Sequence, residues 1–208
     1  MGDLQTLSIQ VFRYTKSELR EKAEDLLAQH SLLSLPVDIE YLVEGVMGLN
    51  IVPIPGLHRA TGILGYLSTD RTEISVDEAT FDKRPHQYRF TLAHELSHLL
   101  LHKEVIVQCC DSNLDGWKNG WRQYLQDEAK IEFAHMERQA DEMARGLLVP
   151  STLLSQKVTP FVLKATANGM DLRQGGQAAQ KFISKMVSNQ FGVPSWDIFI
   201  RLQDEDLP

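Results

Sequence analysis

The sequence predicts an α+β fold: a small antiparallel or mixed sheet packed on one central helix, with further helices running to the C-terminus. Three observations predict it. Residues 84–102 place apolar side chains on nearly every side of a helix, as expected of a helix covered by other structure. Short strand-like runs at 50–54, 61–67 and 72–76 are separated by turn residues. Helical periodicity returns after residue 124 and again near the C-terminus.

The elements follow in order. Thr15 to His30 reads as a helix, capped by Ser17, with Glu18 and Glu21 in its first turn and Leu19, Ala23, Leu26 and Leu27 as its apolar stripe. Asp38 is the expected N-cap of a second helix that buries Ile39, Leu42, Val43 and Val46 and ends at Gly48. Asn50 to Ile54 is a short strand stopped at Pro55-Gly56. Thr61 to Leu67 and Thr72 to Val76 form a hairpin across Thr69-Asp70-Arg71, and Gly62 and Gly65 either weaken the first strand or admit another backbone close to it.

The central helix runs from Arg84 to His102, with Pro85 in its first turn. Leu92, Ala93, Leu96, Leu99 and Leu100 cover one side; Phe90, His94, His98 and Leu101 cover the other. Lys103 to Gln123 reads as a long loop containing Cys109, Cys110, Trp117 and Trp121. A second long helix spans Tyr124 to Leu148 and stops at Val149-Pro150. Thr159 to Ala167 is weakly helical. Gln177 to Phe191 forms a helix with Ala178, Phe182, Ile183 and Met186 inward, and Ser195 caps a last helix over Trp196 to Leu202. The last two have the spacing of a helix–turn–helix unit. Only Lys181, Lys185 and Arg201 are basic nearby, and Asp204-Glu205-Asp206 is acidic, so packing is expected there rather than nucleic-acid contact.

Composition narrows the classes. The 208 residues are 43% hydrophobic and 24% charged, ordinary for a globular chain and against disorder. A net charge of −7 gives no reason to expect a nucleic-acid partner. The two cysteines are adjacent, so they staple no distant segments; free thiols suit a reducing compartment. Met1 to Tyr14 lacks the apolar core of a secretory signal, and no run of about 18 apolar residues offers a membrane span. A cytoplasmic protein with no membrane partner is expected.

The chemistry concentrates at His94-Glu95-Leu96-Ser97-His98. On a helix His94 and His98 lie one turn apart on one face, where two imidazoles can reach one metal ion at about 2.0–2.1 Å. Glu95 lies about 100° round the helix, placed to take a proton from water at that ion. This is the H-E-x-x-H arrangement of zinc peptidases. An amphipathic helix with incidental histidines would give the same five letters. Polar groups set into a helix this apolar need partners, which favours the metal reading.

A catalytic zinc has three protein ligands and one open position. His102 lies eight residues beyond His94, about 12 Å of helix rise, too far for one ion to reach both. It is expected to support a ligand or fill the core. Glu137 is the better candidate for the third ligand. It stands on the apolar stripe of Phe133, Ala140, Ala144 and Leu148, and a carboxylate buried there needs a counter-charge. Asp141, one turn on, is placed to receive the N–H of a metal-bound histidine and so fix its tautomer. Glu128, Glu132, His135 and Glu142 point toward solvent. Cys109 or Cys110 would be a softer alternative ligand.

Arg89 to His102 resembles the central segment of the ImmA/IrrE family of metallopeptidases, and Glu137-Arg138-Gln139-Ala140-Asp141 through Leu147-Leu148-Val149-Pro150 resembles that family's second motif. Leu35-Pro36-Val37-Asp38, the strand at Gly62 and the stretch from Phe191-Gly192-Val193-Pro194 to Arg201-Leu202 are similar too. Ser97 stands where Gly is usual and Asp141 where Asn is common; neither change removes a ligand. The resemblance implies a zincin-like, gluzincin-type fold, with residues 1–150 as the metallopeptidase domain and 151–208 as a helical extension packed on it. It also implies a protein substrate, a helix–turn–helix transcriptional repressor or antitoxin.

The expected function is therefore that of a zinc-dependent endopeptidase with one Zn2+ on His94, His98 and Glu137, and Glu95 as general base. The alternative is a non-catalytic, zinc-stabilised module that sequesters a repressor or antitoxin. His58, Tyr66, His86 and Tyr88 are unranked candidates for stabilising the oxyanion. The sequence leaves the oligomeric state open.

Overall fold

The computed structural model describes residues 11–110, 127–169 and 171–208. Helix α1 spans Lys16–Gln29. Its cap is Thr15, two residues before the expected Ser17. The Glu18 N–H donates to the Thr15 hydroxyl, and the Thr15 N–H donates to the Glu18 carboxylate, closing a reciprocal box. Leu19, Ala23 and Leu27 are buried.

Helix α2 (Ile39–Tyr41) starts at the expected cap, Asp38, and continues as a π-helical turn over Leu42–Val46. Strand β1 (Asn50–Ile54) follows. Then comes a five-residue helix, α3 (Leu57–Thr61), which hides from a sequence reading because it lies between two turn-forming glycines, Gly56 and Gly62. Strands β2 (Gly65–Leu67) and β3 (Glu73–Asp77) form the expected hairpin. β1 joins the other side of β3 in parallel, so the sheet is mixed, in the order β1-β3-β2, and β2 is an edge.

Asp77 ends β3 and caps α4 (Glu78–Lys83) through Thr80. Helix α5 begins at Pro85, one residue after the expected Arg84, and reaches Cys110. The sequence predicts its end at His102. There is a break there, with non-helical backbone at His102 (φ −122°, ψ 15°), but the chain resumes as helix. The expected loop from Lys103 is therefore helical as far as Cys110. Its remainder, with Trp117 and Trp121, falls outside the described residues.

Helix α6 spans Asp127–Leu148 and α7 spans Ser151–Ala167, which starts eight residues before the expected Thr159. Helix α8 covers Gly176–Phe191 and α9 covers Ser195–Asp204, where Pro194 rather than Ser195 is the N-cap. On α8 the buried stripe is Ile183, Val187 and Phe191, spaced by four. Phe182 and Met186, expected inward, are 58% and 52% exposed. Ser184 and Ser188 are buried beside that stripe instead, so close packing selected the small residues over the large ones.

The core is continuous from α1 to α9 and includes Leu27, Leu42, Ile74, Leu92, Leu96, Met136, Leu147, Val187, Phe191 and Leu202. α1 approaches α6 closely, since a Cβ on Gly146 would lie 3.0 Å from that of Ala23. Arg20 locks the pair by reaching Glu142 at 2.6 Å and Asp204 of α9 at 2.6 Å. Glu142 is thus buried, and Glu132 is engaged by Arg13; the sequence reading had both facing solvent. Arg201 is fully buried and donates to the Val149 carbonyl and the Ser151 hydroxyl, so that cation is spent on packing. Among the described residues no helix is long and apolar enough to cross a membrane.

Candidate metal centre

Helices α5 and α6 pack side by side and each supplies part of the site. The H-E-x-x-H spacing carries His94 and His98 on one face of α5, with ring centroids 4.7 Å apart. Their Nε2 atoms are 3.0 Å apart. Glu137 of α6 faces both, with Oε2 3.4 Å from His94 Nε2 and Oε1 3.2 Å from His98 Nε2. The candidate ligand atoms of the three residues all lie within 4.8 Å of one another.

Donor atoms held at 2.0–2.1 Å around a tetrahedral ion lie about 3.3–3.4 Å apart. The three observed separations fall at or just below that figure. Two imidazoles and a carboxylate are an ordinary zinc donor set. These residues therefore fit a bound metal, and zinc suits their chemistry.

Asp141 accepts from His94 Nδ1 at 2.9 Å, the geometry that leaves His94 Nε2 as a lone-pair donor. Side-chain exposure rises across the cluster: 0% for His98, 12% for His94, 32% for Glu137 and 40% for Asp141. The two carboxylates therefore stand at the rim of the apolar stripe, not buried within it as the sequence reading placed them. That rim leaves an open side, as a catalytic metal site requires. A pocket of about 610 Å3 opens beyond Phe90, whose ring centroid is 6.2 Å from that of His94; Arg84, His86, Arg145 and Asp197 also line it.

Glu95 is 2% exposed. Its Oε2 accepts from the backbone N–H of Leu67 at 3.2 Å, so the general-base candidate touches the edge strand. Tyr66, by strand alternation, faces away from the side on which Gly65 meets Thr91 of α5. Tyr88 is buried edge-on against Phe81, and His86 Nδ1 lies 2.8 Å from the Gly192 carbonyl.

His102 is not a ligand of the cluster. It lies behind His98, with Nδ1 facing Nδ1 at 3.1 Å, and its Nε2 is 3.0 Å from Gln139 Oε1. Burial holds its pKa below the usual imidazole value, against the opposing hydrogen bond to Gln139. Sequence reasoning missed Gln139. The signal was present: on α6 it falls between Met136 and Met143, both buried, so a glutamine there had to find a partner.

Residues 81–182 match the model of the IrrE N-terminal-like domain, Peptidase_M78. No curated protein matches the chain significantly. Among solved structures the chain is similar to a Mycobacterium tuberculosis transcriptional regulator, with a TM-score of 0.51 and 14% sequence identity. The match covers 89% of this chain and 46% of that one, so the chain spans less than half the length of that protein. At that identity the likeness concerns the fold.

Proposed function

The chain belongs to the ImmA/IrrE family, whose model is that of a peptidase, and from that premise we propose that it is a zinc-dependent endopeptidase. The reading rests on one observation above all. His94, His98 and Glu137 converge at metal-ligand spacing, while Glu95, next to His94 in the chain, is buried against a strand edge. A structural zinc site is closed and has no use for a general base beside it.

A bound zinc would be held by His94, His98 and Glu137, and would supply Lewis acidity and a lowered pKa for water. The remaining steps belong to the chain's own side chains. Glu95 takes the proton from the attacking water and delivers it to the departing amine. Asp141 keeps His94 in one tautomer and one orientation. β2 offers an extended peptide a strand to pair with. In its register with β3, the Ser68 N–H and the Leu64 carbonyl turn inward, so the backbone groups of Gly65 and Leu67 turn away from β3; the Leu67 N–H is taken by Glu95, which leaves the Leu67 carbonyl and the Gly65 groups for pairing. That edge supports the reading of a protein substrate. Its class, a helix–turn–helix repressor or antitoxin, is proposed from the family.

The test compares wild type with Glu95→Gln on a candidate repressor. The variant is expected to keep zinc and lose cleavage, a drop of about 10²-fold or more. Cleavage at the wild-type rate would refute the mechanism. A Glu95→Gln chain that still relieves repression would instead mark a sequestering module.

A further inference from the structure

Two buried polar side chains have no role in the reading above: His102, 1% exposed, and Gln139, 5% exposed. They join His98 to the main chain of the N-terminal segment. Gln139 Nε2 donates to the Phe12 carbonyl at 2.8 Å, Gln139 Oε1 meets His102 Nε2 at 3.0 Å, and His102 Nδ1 meets His98 Nδ1 at 3.1 Å.

Each link fixes the direction of the next. A main-chain carbonyl only accepts, so the amide nitrogen of Gln139 must face Phe12 and its oxygen must face His102. That oxygen only accepts, so His102 carries its proton on Nε2. A buried imidazole carries one proton, because burial penalises the charged form. His102 Nδ1 is then a lone pair, and the 3.1 Å contact requires the proton on His98 Nδ1. His98 Nε2 is left as a lone pair, aimed at His94 and Glu137.

We propose that Gln139 and His102 are positioning residues that lock the tautomer of His98, so that the Phe12 carbonyl decides which nitrogen of His98 is offered to a metal ion. The proposal rests on the metal-centre reading. It explains why the two histidines are supported differently. His94 is near the surface and leans on a charged carboxylate, Asp141. His98 is fully buried, where a second carboxylate would bring an expensive buried charge. A neutral chain ending on a peptide carbonyl sets the tautomer without one. The segment that supplies the carbonyl is itself held on α6. The Val11 N–H donates to Glu132 at 3.1 Å, and Arg13 pairs with the same carboxylate. Docking of residues 11–13 is thereby part of the metal site.

Two measurements on metal-free and zinc-titrated protein test it. Long-range 1H–15N correlation spectra report which nitrogen of His98 is protonated, a property that plain core packing would not control. Competition with a chromophoric chelator gives the zinc affinity. Wild type is expected to show His98 protonated on Nδ1. Gln139→Leu is expected to populate the Nε2–H form and to bind zinc about 10–100-fold more weakly. Gln139→Glu, which keeps an acceptor for His102, is expected to retain the Nδ1–H form. Wild-type His98 protonated on Nε2 overturns the proposal, as does a folded Gln139→Leu chain with unchanged tautomer and affinity. If Gln139→Leu fails to fold, the wild-type spectrum and Gln139→Glu decide. Wild type with the Nδ1–H tautomer but no zinc binding supports the lock and refutes the metal centre, so the two failures are distinct.

Discussion

Gly65→Ala is the substitution whose effect is most directly worked from the structure. A Cβ built on Gly65 would lie 2.5 Å from Thr91 Cγ2 and 2.8 Å from the Ser75 carbonyl oxygen. Carbon atoms pack best at about 3.5–4.0 Å, so about 1 Å must be opened against α5. Neither neighbour yields easily. Ser75 belongs to the central strand β3, and Thr91 is buried, with its hydroxyl donating to the Gln87 carbonyl at 2.9 Å. Overpacking of this kind costs about 1–3 kcal/mol. For a chain of this length each kcal/mol moves the melting temperature by about 2–4 °C, so a loss of about 2–12 °C is expected. Thermal melts of wild type, Gly65→Ala, Thr91→Ser and the double variant measure it. Thr91→Ser removes Cγ2 and keeps the hydroxyl, so the double variant should recover part of the loss, with the Ser75 contact remaining. Displacement of β2 should also lengthen the Leu67–Glu95 hydrogen bond and lower the proposed peptidase activity. A Gly65→Ala melting temperature within about 1 °C of wild type, or strict additivity with Thr91→Ser, would refute the close-approach argument.

Removing the proposed third ligand with Glu137→Ala should lower zinc content well below that of wild type by metal analysis; unchanged stoichiometry and affinity would remove Glu137 from the proposed centre. Asp141→Asn keeps an oxygen but loses the charge behind His94, and should weaken zinc binding about 10–100-fold in chelator competition. Asp77 is held below the usual carboxylate pKa chiefly by the backbone N–H of His58, aided by the N–H and hydroxyl of Thr80 against the opposing effect of burial. A carboxyl lowered on folding contributes stability above its unfolded value of about 3.9, and that contribution is lost as pH falls through the lower folded value. Urea unfolding between about pH 5 and 2 should therefore fall less steeply for Asp77→Asn than for wild type; parallel curves would show that the α4 cap is not ionised.

Local chemistry made much of the fold legible. Asp38, Pro85 and Gly192 mark helix ends as the rules of capping require. The β2–β3 hairpin follows from its turn. Where two local signals compete, the contacts made in the folded structure choose between them. Thr15 and Ser17 both suit a cap, and only the reach of Glu18 settles on Thr15. On α8 the large apolar residues Phe182 and Met186 looked internal, whereas packing turned Ile183, Val187 and two serines inward. The break at His102 was legible; the eight further helical residues were not, because Val105 and Ile106 alone give little periodicity.

The candidate site divides along the same line. The sequence by itself determined the pairing of His94 with His98 and the place of Glu95 beside them, because a helix has a fixed angular step and that step alone sets which residues share a face. It also singled out Glu137 and Asp141, since a carboxylate on an apolar stripe needs a partner. Tertiary structure decided everything that required two elements to meet. The distances from Glu137 to both histidines depend on how α5 lies against α6. The contact between Glu95 and Leu67 depends on a glycine that lets β2 approach α5. The hydrogen bonds from Phe12 to Gln139 and from Gln139 to His102 join residues 127 and 37 positions apart. Spacing along a chain carries information only about neighbours within an element; contacts across such separations are set by packing, and packing is a property of the whole core.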